Sequence, residues 1–63
     1  MKSYSIINQE ECQGLTYYEI AGTNISDISE IKDIATGSIF YDIIKKSYSM
    51  AYYESGVLKW QEQ

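Results

Sequence analysis

Residues 47–60 read SYSMAYYESGVLKW. Tyr48, Met50 and Tyr52 alternate, the chain breaks at Glu54-Ser55-Gly56, and Val57, Leu58 and Trp60 resume beyond it. This is the pattern of a β-hairpin. Two registers are open. A two-residue Ser55-Gly56 turn sets Tyr53 opposite Leu58 and Ala51 opposite Trp60. A three-residue loop, Glu54-Ser55-Gly56 with the glycine left-handed, sets Tyr52 opposite Leu58 and Met50 opposite Trp60. Directly opposed residues share a face. The second register therefore gathers Tyr48, Met50, Tyr52, Leu58 and Trp60 on one side. Ser47, Ser49, Ala51, Tyr53, Val57 and Lys59 fall on the other. Because it collects the bulk, the second register is the expected one, with Trp60 buried opposite Met50.

Working outward, Tyr4–Ile7 is a short β-like run and Leu15–Ala21, LTYYEIA, is a second. The polar NQEECQG between them reads as a hairpin loop. SDISEIKDIATG, residues 26–37, predicts a helix: Ile28, Ile31, Ile34 and Ala35 form one stripe at i, i+3, i+4 spacing. Ser26 or Asp27 suits its N-cap, and Gly37 its left-handed end. Isoleucine is a mediocre helix former, so such a helix depends on docking. SIFYDIIKK follows, then the hairpin. The expected fold is α+β, a single domain over residues 1–63: an antiparallel sheet of four to five strands with one helix packed on one face, in the order β-β-α-β-β-β. The other face is left to solvent or a partner.

Sixty-three residues bury only about 60% of the surface of the unfolded chain. Chains this small often lean on disulfides, a metal or a second copy. Cys12 is the sole cysteine and histidine is absent, so an internal disulfide and a zinc site are both excluded. No cofactor is implied. After Lys2 comes Ser3-Tyr4-Ser5 rather than an apolar signal region, and no apolar run has the length of a membrane span. A lone cysteine fits a reducing cytoplasm. The net charge of −4 argues against a binder of nucleic-acid backbone and permits a partner with a basic surface.

Reaction chemistry is missing. Without histidine, Cys12 has no activating base. Glu10-Glu11 read as a solvated turn, and Asp27, Glu30 and Asp33 as a solvated helix face. An enzyme is not expected. The tyrosines remain. Tyr17 and Tyr18 are neighbours on a strand and point to opposite faces, as do Tyr52 and Tyr53. At least two rings must leave the core, and tyrosine is enriched at protein interfaces. The candidate partner-binding residues are Tyr53 with Lys59, one of Tyr17 and Tyr18, and the charges Glu30, Lys32 and Asp33 on the helix. A homodimer through the bare sheet face is the alternative use of such a surface.

Three stretches, MKSYSII, ISDISEIKDIA and MAYYESGVLKW, carry a resemblance. In that order they resemble the first strand, helix and terminal hairpin of a family of small phage-encoded anti-CRISPR proteins, the type I-F inhibitors numbered nine. The resemblance implies one helix on an antiparallel sheet. It also implies a viral protein that binds a CRISPR effector complex in the host cytoplasm and blocks its engagement of nucleic acid. The family carries basic residues on helix and hairpin. Here Lys32 and Lys59 remain, but Asp33 and Glu54 accompany them and the total charge is negative, so direct contact with nucleic acid is not expected.

Overall fold

The computed structural model describes residues 4–63; Met1–Ser3, with Lys2 and the start of MKSYSII, lie outside the described residues. Five strands form one sheet: β1 (Tyr4–Cys12), β2 (Leu15–Gly22), β3 (Ile39–Asp42), β4 (Ser47–Glu54) and β5 (Val57–Glu62). They lie side by side in chain order. The β-β-helical-β-β-β sequence is the one expected, and the class is α+β with few helical residues. Two features differ: the sheet is mixed, because β2 and β3 run parallel, and the helical element is one 3-10 turn, Ile25–Glu30.

The parallel pair explains the short helix. A chain leaving the end of β2 must return along the sheet to start β3 in the same direction. An α-helix advances about 1.5 Å per residue, an extended chain about 3.3 Å. The link opens with the 3-10 turn, capped by the Asn24 side chain accepting from Ser26 N at 3.0 Å, where Ser26 or Asp27 was expected. It then runs extended. Thr16 N–H donates to the Asp33 carbonyl at 2.7 Å and Ala35 N–H to the Thr16 carbonyl at 2.8 Å, an isolated parallel bridge through Ile34. The expected stripe holds its burial without being helical: Ile28, Ile34 and Ala35 are buried and Ile31 packs against them from the edge.

Between that bridge and β3 the chain kinks at Thr36-Gly37, with Gly37 at φ 95°. Ser38 repairs the interrupted ladder. Its hydroxyl accepts from Tyr18 N–H at 3.1 Å and donates to the Ala35 carbonyl at 2.7 Å. On the other side, Gly37 N–H donates to the Ala51 carbonyl (2.9 Å) and Ala51 N–H to the Ser38 carbonyl (2.8 Å).

Two of the three hairpins, β1–β2 and β4–β5, turn in two residues. Gln13-Gly14 has φ 53° and 87°, and Ser55-Gly56 has 54° and 78°. Positive φ at both central positions marks the turn whose twist matches that of the flanking strands. β1 therefore extends through most of the expected loop to Cys12. In the final hairpin Tyr53 pairs with Leu58 and Ala51 with Trp60, which overturns the three-residue register. Trp60 stands opposite Ala51 rather than Met50 and is partly buried, its ring edge-on to Phe40 at 6.5 Å.

The core lies on one face only. Tyr18, Ile20, Phe40 and Ala51 from the sheet meet Ile28 and Ile34 from the crossover. Four side-chain hydrogen bonds hold the crossover down. Asp33 accepts from the Thr16 hydroxyl (2.8 Å) and the Tyr18 hydroxyl (2.9 Å). Glu30 accepts from the Tyr4 hydroxyl. The Tyr53 hydroxyl donates to the Ile34 carbonyl at 2.6 Å.

Candidate functional site

The second face of the sheet has no layer over it among the described residues. Strand alternation and the pairing register lay it out in rows. One row is Ala21, Tyr41 and Tyr48; the next is Glu19, Ile39, Met50 and Gln61. Beyond it lie Tyr17, facing Glu10 across β1–β2, and Tyr52, facing Lys59 across β4–β5. A bulge between Ile6 and Asn8 inserts Ile7, which with Glu19, Ile39, Tyr41 and Tyr48 lines a shallow pocket. Tyr48 is 54% exposed and Met50 40%. The Tyr41 and Tyr48 rings touch with centroids 4.9 Å apart. The Tyr17 hydroxyl donates to Glu19 at 3.1 Å.

The two hairpin registers assign opposite faces, and the correction moves several expected residues. Tyr53 lies on the covered face, anchored to Ile34; Tyr52 takes the open face. Tyr48 and Met50, expected in the core, also face outward. Lys59 shares its face with Tyr52, not with Tyr53. Of the tyrosine pair in β2, Tyr18 is buried and Tyr17 faces outward.

Of the charges expected on a helix, Glu30 ends the 3-10 turn, while Lys32 and Asp33 follow it outside any helix. Asp33 and Glu30 bond the crossover to the sheet, and exposed Lys32 donates to the Ser29 carbonyl at 3.2 Å. Tyr41, Tyr48, Met50 and Glu19 were missed as candidates. The alternation at Tyr48, Met50 and Tyr52 did signal a common face; bulk alone assigned it to the wrong side.

The ionisable groups are tuned by these contacts. The Thr16 hydroxyl, then that of Tyr18, hold the Asp33 carboxyl below its ordinary range. Burial, then the bond to Asp33, raises the Tyr18 phenol. Burial, then Glu19, raises Tyr17. The bond to Glu30 raises Tyr4. Burial and hydrogen bonding keep these phenols protonated, and hydrogen bonding keeps the Asp33 carboxylate charged. Cys12 is exposed at the end of β1. The open face therefore presents rings, a thioether and hydrogen-bonding tips, with the acids Glu10 and Glu19 toward one flank and the base Lys59 toward the other.

No protein-family model matches the chain, and no curated protein or solved structure matches it. No helix of the described residues is long and apolar enough to cross a membrane.

Proposed function

We propose that this chain is a non-catalytic protein-binding module whose interface is the uncovered sheet face, acting as a phage-type antagonist of a host-defence effector complex in the host cytoplasm. The observation that carries the binding reading is the outward placement of Tyr17, Tyr41, Tyr48 and Tyr52 around Ile39 and Met50. Rigid rings with polar tips supply contact area at low entropic cost. The antagonist reading rests on the resemblance of the three sequence segments and on charge. Glu10, Tyr17 and Glu19 line the β1–β2 flank of the face, in a chain of net charge −4. Carboxylates and rings in that arrangement suit a basic channel built for nucleic acid, and filling such a channel blocks engagement of the nucleic acid without touching it.

The test is capture of a partner from host lysate, followed by titration of purified CRISPR effector complex. Tyr48→Ala is expected to weaken binding at least about thirtyfold, the scale of a central interface ring. Glu19→Lys should weaken it most at low salt. Undiminished binding by Tyr48→Ala removes the open face as the interface; failure of the wild-type chain to bind any effector complex removes the antagonist reading.

A further inference from the structure

The sheet has two outer edges, and they are unlike. β1 is broken by the bulge at Ile7 and carries Glu10 and Glu11. Bulges and charges are the usual protection of an edge against pairing with another chain. β5 has neither proline nor bulge, and its register against β4 is unbroken from Val57 to Glu62.

The main chain shows which groups β5 leaves free. Gln63 N–H donates to the Tyr48 carbonyl at 2.7 Å. In an antiparallel ladder alternate residues point their main-chain groups to the same side. Val57, Lys59 and Gln61 therefore point theirs at β4, while Leu58, Trp60 and Glu62 point theirs outward. Beside this edge, on the covered face, runs an apolar groove between the 3-10 turn, Ile31 and the final hairpin. Leu58 and Trp60 are only partly buried in it, and Lys32 is the one charged residue of its lining among the described residues.

We propose that the outer edge of β5 pairs with β5 of a second copy, antiparallel and centred on Trp60, joining the two sheets into one. The sequence of the strand is self-complementary in that register. Trp60 meets Trp60, and Leu58 meets Glu62 on either side, so all three outward residues find outward partners and make about six main-chain hydrogen bonds. Lys59 meets Gln61, so no like charges oppose each other. Glu62 of each copy arrives on the face that carries Lys32 of the other. The added strand continues the apolar wall of the groove with a second Leu58 and Trp60. This interface is separate from the open face.

Sedimentation velocity over a concentration series tests it. The wild-type chain is expected to show a concentration-dependent dimer. Glu62→Pro removes one outward N–H and no bond to β4, a substitution that edge strands tolerate. It should weaken the dimer about tenfold or more, because the two-fold axis applies the loss twice. Glu62→Lys should weaken it too, and adding Lys32→Glu should restore it. Tyr48→Ala should leave it unchanged. A wild-type chain monomeric at every concentration overturns the proposal. So does a folded Glu62→Pro chain that dimerises normally, a Glu62→Lys chain that dimerises normally, or a dimer abolished by Tyr48→Ala.

Discussion

Ser38 is fully buried, and its hydroxyl does the work of a missing ladder residue for both Tyr18 N–H and the Ala35 carbonyl. Removing one partner of a buried bond costs about 1–3 kcal/mol. Ser38→Ala should therefore destabilise by about 2 kcal/mol, read from a urea melt, although alanine fits the space. A loss under about 0.5 kcal/mol, the usual effect of a surface change, contradicts the account. Asp33 makes the second residue-scale prediction. Its carboxyl is held below the ordinary aspartate value of 3.8, so its contribution is present above that pH and lost as pH falls through the lowered folded value. Tyr18, raised above 10.0, behaves in the opposite sense, its contribution being lost as pH rises beyond 10. Asp33→Asn should flatten the acid limb of a stability-against-pH curve; an unchanged acid limb shows that the bond adds nothing. Neither role was legible in the sequence. Ser38 reads as a loop residue after a helix stop, and Asp33 as a solvated helix acid, until the crossover lies against β2.

At the scale of elements, the register of each two-residue hairpin depends on a non-glycine residue in the left-handed region, Gln13 or Ser55. Asparagine is the preferred residue there ahead of glycine. Ser55→Asn is therefore expected to raise stability by several tenths of a kcal/mol, about 2–5 °C in melting temperature for a chain this small, with Ala51 still opposite Trp60. A destabilised variant shows that Ser55 makes a contact that the turn geometry does not explain. The final hairpin was legible as an element and its two registers were countable; the choice between them was not. Bulk suggested that Tyr48, Met50 and Tyr52 face inward. The covered face instead takes Ala51, fully buried between Gly37-Ser38, bonded to its main chain on one side, and Trp60, paired with it on the other. The helix was misread for a related reason. Isoleucines at i, i+3 and i+6 mark burial, but the same residues serve a 3-10 turn and an extended strap when the chain must travel farther than a helix allows.

For the whole molecule, one layer of crossover on one face of five strands leaves the core on one side of the sheet and an uncovered face of rings on the other. Tyr53→Ala should lower stability by about 1–3 kcal/mol, through its lost bond to Ile34 and its packing, while Tyr48→Ala should stay within about 0.5 kcal/mol. Thermal melts of the two variants check this, and equal melting temperatures place both rings outside the core. The sequence by itself determined that this is a small α+β chain with one cysteine and no histidine, that its elements follow in the order β-β-helical-β-β-β, and that Ile28 and Ile34 are buried. Those properties follow from composition, spacing and turn residues, all local. Only the tertiary structure decided that β2 and β3 are parallel, that the helix shrinks to a turn, and that Tyr53, still 39% exposed, turns to the covered face while Tyr48 turns to the open one. Those are questions of which face each strand offers to the rest of the chain, and a period of two residues is equally satisfied by either face.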